Sequence, residues 1–266
     1  MVLSPIEQRI KAKIEAVGTP LKDWDINIYR GILTGYNEAF IIDGKKKDEL
    51  IEKDPKSEKI IRPLLRGRDI KRYGYQFADL YLITTFPSLK IDIEQYPAVK
   101  QHLISFGYDR LKQTGEKGAR KKTNNQWFET QDTIGYWEDF SKQKVMWKII
   151  GCNLNFFYDT NGFYCNNAVN IMVGRKNDLL QFIGLMNSKL FDWYLKLTTT
   201  AEVQGGGIQM YSTTLETLPI KLDFDNNFTF NVLSRIDNNI SDSDLNNIVY
   251  NLYKLSNEEI SFIESQ

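Results

Sequence analysis

Histidine and cysteine are the residues that this chain has least of. Its 266 residues include one histidine, His102, and two cysteines, Cys152 and Cys165. A zinc site draws on several His and Cys ligands, and a disulfide framework needs more cysteines at regular spacings, so the sequence excludes both. The low cysteine content indicates a reduced, cytoplasmic setting. We expect no metal site and no bound cofactor in this chain.

Long hydrophobic runs are missing too. No stretch of about eighteen apolar residues occurs, so the sequence predicts no membrane-spanning helix and no membrane partner. The N-terminal segment MVLSPIEQRIKAKIE lacks the apolar centre of a secretory signal. Hydrophobic residues nevertheless make up 42% of the chain, which is enough to bury a substantial core at this length.

Recognisable catalytic motifs are absent as well. His102 lies in a segment with helical periodicity and no G-x-S-x-G sequence accompanies it, so we expect a structural role for it. The glycines of QGGGIQ lack the Lys-Ser/Thr pair of a phosphate-binding loop. The acid-x-Lys triplets at 43–45 and 69–71 are typical of solvated charge pairs in a chain with 26% charged residues. We therefore predict no catalytic residues here.

Charge is balanced overall but unevenly distributed. The formal net charge is zero, yet residues 56–72 carry seven Lys/Arg against two acids, and residues 110–122 carry six against one. The tail from residue 221 onward carries three against eight. A neutral chain can therefore still present one basic face, which favours a nucleic-acid partner.

Three polar segments carry candidate DNA-contacting side chains. Arginine can bridge guanine N7 and O6 or clamp a phosphate, and RPLLRGRDIKRYGY is rich in it. KGARKKTNNQW sets cations for phosphates beside amides for adenine edges, although a mobile solvated loop is an equal alternative. AEVQGGGIQMYS is the third segment, for which a plain loop is the stronger interpretation. The predicted DNA-contacting residues are Arg66, Arg68, Lys71, Arg72, Lys117, Arg120, Lys121, Lys122, Asn124, Asn125, Gln126, Gln204, Gln209 and Tyr211.

Helices and strands are mixed without a regular βαβ alternation. Ser4, Pro5 and Glu7 form the start signal of an N-terminal helix. YRGILTGYNEAFIIDG at 29–44 predicts two strands joined by a turn, with Gly35 and Asn37 suited to positive φ. Further strands, a long apolar helix or two consecutive ones at 176–200, and an acidic helical tail follow. This pattern predicts an α+β (mixed α/β) fold, a twisted mixed sheet with flanking helices and a small C-terminal helical appendage.

Several phrases, in a fixed order, resemble the TaqI-like C-terminal specificity domain. This is the target recognition domain of type II (IIG-like) restriction-modification enzymes and adenine-specific DNA methyltransferases. The resemblance covers about residues 25–264. It is carried by IYRGILTGYNEAFIID, IIRPLLRGRDIKRY, DLYLITTF, YPAVKQHLISF, QKVMWKII, FYCNNAVNIMV, FIGLMNSKLFDWYLK, LETLPI and LNNIVYNLYKLSNEEISFIE.

The resemblance implies sequence-specific recognition of double-stranded DNA on behalf of a catalytic partner. An adenine-N6 methyltransferase module, with or without a nuclease, would lie in the same parent chain or complex. That module would use S-adenosylmethionine, with Mg²⁺ for any cleavage, in a system of phage defence. Residues 1–20 would then be a helix or linker from the upstream module, 21–222 the recognition domain and 223–266 an acidic helical segment. The alternative is a protein-docking module of a restriction or defence complex that does not read bases.

Overall fold

The computed structural model describes residues 3–153, 155–199, 202–203, 207–221 and 226–266. It is an α+β fold, as the sequence predicts. The α-helices in this part are α1 (Pro5–Val17), α2 (Asn37–Phe40), α3 (Gly44–Lys53), α4 (Pro97–Ile104), α5 (Tyr108–Leu111), α6 (Lys176–Met186), α7 (Lys189–Thr198), α8 (Ser212–Glu216), α9 (Asn226–Ile236), α10 (Asp242–Leu252) and α11 (Asn257–Glu264). The strands are β1 (Thr19–Pro20), β2 (Ile26–Arg30), β3 (Ile41–Asp43), β4 (Ile61–Leu65), β5 (Ile70–Lys71), β6 (Gly74–Tyr75), β7 (Leu80–Ile83), β8 (Lys144–Lys148), β9 (Ile150–Gly151), β10 (Phe156–Asp159), β11 (Tyr164–Cys165), β12 (Val169–Gly174), β13 (Glu202–Val203), β14 (Gly207–Gln209) and β15 (Pro219–Ile220).

The N-terminal helix starts and ends where its sequence signals indicate. The Ser4 amide donates to the Glu7 carboxylate at 2.7 Å, and the Glu7 amide donates to the Ser4 hydroxyl at 3.4 Å, which completes a capping box. After Gly18 the chain enters β1, which pairs with β15. A Cβ on Gly18 would lie 2.4 Å from Cβ of Pro219, so only glycine permits this close approach.

The central sheet has the strand order β10-β8-β12-β2, with β12 antiparallel to both of its neighbours. Alternate side chains of each strand point to opposite faces. Val145 and Met172 accordingly join a core with α1 and the later helices, whereas Met146 and Ile171 join a second core on the other face. Both faces of the central sheet are therefore buried.

A second four-stranded sheet, in the order β11-β4-β7-β3, encloses the second core. Its pairing shows that the predicted hairpin is wrong. β2 pairs with β12 in the central sheet and β3 pairs with β7 in this one, so the two strands never meet. Gly35 does have positive φ, at 80°, but Asn37 begins α2 and does not. The chain thus crosses from one sheet to the other instead of turning back.

The acidic C-terminal residues are helical, as predicted, and they pack into the first core. Val232 of α9 and Val249 of α10 are fully buried there, together with residues of α6, α7 and α1. A Cβ on Gly184 of α6 would lie 2.4 Å from the Val232 side chain, so α6 and α9 are in close contact. The division of the chain at residues 20 and 222 stays a prediction.

Several strands end at one edge of the molecule. β2 and β8 are both antiparallel to β12, so their last residues, Arg30 and Lys148, lie beside the start of β12. β4 and β11 are parallel and end next to them, because the Ile32 amide donates to the Cys165 carbonyl at 2.9 Å. We call residues 30–36, 66–69, 148–151 and 166–168 the loop edge. It is the part of both sheets where loops meet.

Candidate nucleic-acid interface

A cleft of about 550 Å³ opens at the loop edge. Asn170 of β12 stands opposite Arg30 in the ladder, and Lys148 stands opposite Val169, so strand register brings these three polar residues together. The segment after β14 lies over them, and its Met210 carbonyl accepts a 3.0 Å bond from Nε1 of Trp147. The lining residues are Ile28, Tyr29, Arg30, Lys148, Ile149, Ile150, Asn167, Ala168, Asn170, Tyr211 and Ser212.

Six polar side chains around this cleft have no partners of their own within the described part of the chain. None of them makes a side-chain hydrogen bond or ion pair with a described residue; they are Arg30, Lys148, Asn167, Asn170, Tyr211 and Ser212. Tyr29, which also lines the cleft, differs because its ring stacks on that of Tyr136, with 4.3 Å between the ring centroids. Asn170 is 4% exposed, but its amide is not cut off from solvent and lines the cleft. Polar groups without partners that converge on a cleft are typical of a ligand site.

The first basic segment brings one free arginine to the loop edge. Gly67 packs on the cleft wall, where an added Cβ would lie 3.2 Å from Cγ of Lys148. The next side chain, Arg68, is exposed, and within the described residues it has no hydrogen bond or ion pair. Arg68 is therefore a free cation that directly follows the glycine packed on Lys148.

The neighbouring Arg66 is committed to the fold instead. Its backbone N and Nε donate to Oδ2 of Asp69 at 2.8 and 2.9 Å, and Nη2 donates to Oδ1 at 2.9 Å. Burial alone would raise the pKa of Asp69, but these bonds to Arg66 outweigh it and hold the pKa below its usual range. The pair closes the turn that presents Arg68. Arg66 thus has a structural role within the fold, and its contact with DNA stays a prediction.

Lys71 and Arg72 diverge. Lys71 is exposed and its Nζ donates to the Arg68 carbonyl at 2.8 Å. Arg72 points toward the C-terminal helices, where it donates to the Asn187 carbonyl and pairs with Asp242 at 3.5 Å. Arg72 is therefore engaged within the protein, and its contact with DNA stays a prediction.

Arg120, which we predicted to lie in an exposed loop, is 2% exposed. Its guanidinium donates to the carbonyls of Leu111 at 2.7 Å, Thr34 at 2.9 Å, Glu129 at 2.8 Å and Trp127 at 2.7 Å. Burial lowers the pKa of Arg120 to about 10, so it stays charged at neutral pH. Its prediction as a DNA contact is corrected to a positioning role, in which it ties residues 111–129 to the chain after β2.

The side chains around Arg120 remain exposed. Lys117, Lys121 and Lys122 make no hydrogen bond or ion pair with any described residue, and the side chains of Asn124 and Gln126 are likewise exposed and unbonded. Asn125 differs, because its amide donates to the carbonyls of Thr130 at 3.2 Å and Gln131 at 3.0 Å, within the loop. The 117–126 loop therefore offers three cations and two amides on a fixed support.

The third polar segment reaches the loop edge in part. Tyr211 is 45% exposed and lines the cleft. Gln209 is half-buried in β14, paired with Ile150 of β9. Gln204 lies outside the described residues.

Sequence reasoning missed the cleft residues Arg30, Lys148, Asn167 and Asn170. They stand alone in apolar segments, and no local cluster of charge marks them. Two of them, Arg30 and Lys148, could have been found from the sequence. Each is a cation that ends a predicted strand, in IYR and in MWK. Which strands lie side by side could not be deduced from spacing.

No cluster of metal-ligating side chains accompanies this interface in the described residues. They contain no group of three or more His, Cys, Asp or Glu side chains placed to hold a metal ion. His102 packs on α2, with Nε2 2.9 Å from the Ala39 carbonyl, which agrees with a structural role. No helix within this part of the chain is long and apolar enough to cross a membrane.

The model of the TaqI-like C-terminal specificity domain matches residues 62–220, more than half of the chain. The chain belongs to this family. The matched residues include the turn at Arg68, the 117–126 loop, Lys148, Asn170 and Tyr211. The restriction-modification context of the family supports DNA target recognition as the role of this specificity domain. No curated protein sequence is significantly similar to it.

Two solved structures share the fold of this specificity domain. The type IIG restriction endonuclease BpuSI aligns with a TM-score of 0.58 and 14% identity, over 87% of this chain and 27% of that one. The type IIL restriction-modification enzyme MmeI, solved in complex with DNA, aligns with a TM-score of 0.58 and 13% identity, over 92% of this chain and 35% of that one. At these identities the likeness concerns the fold. This chain spans about a third of either protein or less.

Proposed function

We propose that this specificity domain binds double-stranded DNA and reads a short base sequence at the loop edge. The supporting observation is the set of polar side chains there that lack partners within the described residues, beside basic residues that are equally free. The arginines at positions 66, 72 and 120 by contrast donate hydrogen bonds within the protein. The distribution of free charge therefore favours one face for a polyanion.

The cations and the amides at the loop edge suit different parts of the DNA. Arg30, Arg68 and Lys148 supply cations that neutralise phosphates or pair with guanine. The amides of Asn167 and Asn170 carry a donor and an acceptor each, which suits the edge of adenine. Lys117, Lys121, Lys122, Asn124 and Gln126 extend the contact along the duplex. Phosphate contacts fix the register, and contacts to base edges select the sequence.

The reaction itself falls to a catalytic partner in this proposal. The chain contains no N-P-P-Y-type sequence, so methyl transfer would come from an adenine-N6 methyltransferase module in the parent chain or complex. That module would flip the target adenine out of the duplex and use S-adenosylmethionine, while this domain holds the flanking sequence. A cytoplasmic restriction-modification system that acts in phage defence is the expected setting.

Binding of labelled duplex DNA by the 266-residue chain, titrated at several salt concentrations, tests this function. We expect the affinity to fall steeply with salt and to exceed that for random duplex when the target is present in a selected pool. The triple variant Arg30→Ala, Arg68→Ala, Lys148→Ala should bind at least about tenfold more weakly, since each phosphate or base contact contributes to the affinity.

The matched control removes three cations at the opposite ends of the strands. Lys22 precedes β2, Lys56 precedes β4 and Lys176 follows β12, and all three are exposed. The variant Lys22→Ala, Lys56→Ala, Lys176→Ala has the same net charge as the first triple and should bind like the wild type. Equally weakened binding in the two triples, or binding that does not respond to salt, would favour protein docking over base reading.

A further inference from the structure

The cleft at the loop edge has the composition of a site for a single nucleotide. Ile28, Ile149, Ile150 and Ala168 give it apolar walls, and the exposed ring of Tyr211 stands at its side. Its volume of about 550 Å³ lies within the range of roughly 300 to 1,000 Å³ that is usual for small-ligand sites. An intact duplex cannot enter such a space, whereas one unstacked base can.

Two features of the cleft would orient a bound nucleotide. Asn170 lies at the start of β12, 4% exposed, and its amide makes no hydrogen bond with a described residue and is reached by solvent at the cleft. A largely enclosed amide that lines a cleft in this way suits a ligand with its own donor and acceptor, as the hydrogen-bonding edge of a base has. Arg30 and Lys148 are the cleft cations, within reach of a phosphate attached to the same nucleotide.

We propose that the cleft holds one nucleotide of the bound DNA that has left the base stack. Its base lies against Tyr211, its edge bonds to the Asn170 amide, and its phosphate meets Arg30 and Lys148. This inference rests on the proposed function, because the nucleotide comes from the duplex bound at the loop edge. Base–aromatic stacking then offsets part of the cost of unstacking.

Duplexes with one extra unpaired nucleotide test this inference, because the unpaired base is already partly unstacked. The chain is titrated with a fully paired duplex, with duplexes that carry a dA, dC, dG or dT bulge, and with the same duplex carrying an abasic bulge. We expect at least one base bulge to bind about tenfold more tightly than the abasic bulge, in keeping with the contribution of one stacked base. The abasic bulge controls for bending of the DNA.

Two variants connect that preference to the cleft. Asn170→Leu replaces an amide that makes no hydrogen bond with a described residue by an apolar group of similar shape, so it should fold with a melting temperature close to that of the wild type. Tyr211→Ala changes an exposed side chain. Both variants should lose the preference for the base bulge over the abasic bulge, whereas Phe230→Ala, which removes an exposed aromatic ring of α9, should keep that preference.

The outcomes separate this inference from the function on which it rests. Salt-dependent binding of the paired duplex with equal affinity for base and abasic bulges overturns the nucleotide site alone. No binding of any duplex overturns the proposed function as well. Displacement by free dAMP or dTMP that Asn170→Leu abolishes, without any preference for a bulge, assigns the cleft to a free nucleotide and overturns the proposal.

Discussion

The guanidinium of Arg120 donates a hydrogen bond to the carbonyl oxygen of Thr34 over 2.9 Å, across 86 residues of sequence. The other three carbonyls that it contacts belong to the loop region in which Arg120 itself lies. One side chain thus fixes the 117–126 loop to the chain that leaves β2. The lysines that this loop presents are held in place by a residue that cannot touch a ligand itself.

Replacing Arg120 by lysine should destabilise the protein. Lysine carries a compact charge with three donors and cannot reach four carbonyls at once, so buried acceptors would lose their partners. We expect the free energy of unfolding to fall by about 2 to 4 kcal/mol in urea denaturation, since each unsatisfied buried group costs roughly 1 to 3 kcal/mol. Lys121→Ala, at an exposed neighbour, should change it by less than about 0.5 kcal/mol. Wild-type stability of Arg120→Lys would contradict the positioning role.

Removing Lys117, Lys121 and Lys122 together should weaken DNA binding without changing stability. All three are exposed and unpaired within the described residues, so each is free to meet a phosphate. The slope of log K against log salt should become shallower by up to about 0.9 for each phosphate that is no longer neutralised. A shift in affinity with an unchanged slope would show that these lysines do not bind phosphates. The triple at Lys22, Lys56 and Lys176 again serves as the control.

Replacing Asp159 by asparagine should be severely destabilising. Lys144 and Asp159 are both fully buried and ion-paired, and Asp159 also accepts bonds from the amides of Asn161 and Phe163 at 2.9 Å. The neutral amide of the variant would leave the Lys144 charge uncompensated, at a cost of about 3 to 5 kcal/mol in the free energy of unfolding. Asp192→Asn removes the partly exposed pair with Lys196 and should cost less than about 1 kcal/mol.

The pH dependence of the Asp159→Asn variant provides a second measurement. Burial lowers the pKa of Lys144, and Asp159 opposes that effect. Without Asp159 the folded state should release the lysine proton more readily than the unfolded state does. Stability of the variant should therefore rise as the pH is raised from about 7 to about 9, because the unfolded chain then binds more protons. A flat profile would contradict the burial of an uncompensated lysine.

His102 should make stability fall on mild acidification. Burial lowers the pKa of His102 in the folded protein, although its bond to the Ala39 carbonyl acts in the opposite direction. The unfolded chain takes up a proton near pH 6.5, so the free energy of unfolding should decline as pH falls through about 6.5 toward the lower folded-state pKa. His102→Gln can still donate to Ala39 and should flatten the profile between about pH 7 and about pH 5.5. Since His102 is the only histidine, an unchanged slope would contradict this assignment.

The sequence predicted local structure more reliably than pairing. The capping box of Ser4 and Glu7, the positive φ of Gly35 and the α+β class are set by neighbouring residues, and the structure agrees with each. The hairpin prediction was wrong because it assumed that strands adjacent in sequence would pair. β2 instead meets β12, more than a hundred residues further along, where Ile171 and Met172 can be buried on opposite faces.

Only part of the candidate site could be predicted from the sequence, because the sequence does not show which residues the fold brings together. Clusters of charge pointed to Arg68 and to the lysines of the 117–126 loop, whose side chains have no partners among the described residues, but they did not distinguish them from Arg66, Arg72 and Arg120. That distinction depends on carbonyls and carboxylates brought near by the fold, such as Asp69 in the same turn and Asn187 in the distant turn between α6 and α7. Isolated polar residues such as Arg30 could be recognised as candidates only from the structure, which places them beside other polar residues across the sheet.

The two-sided burial of the central sheet separates positions that can vary from those that cannot. A change at Met146 or Met172 alters packing in one core or the other, so most of the strand interior is constrained. Positions such as 30, 68, 148 and 167 lie beyond the packed layers, and their side chains hold no part of the fold together. Under the proposed function, libraries confined to these positions, or loops exchanged with those of a relative, are a rational route to new target preferences on an unchanged scaffold.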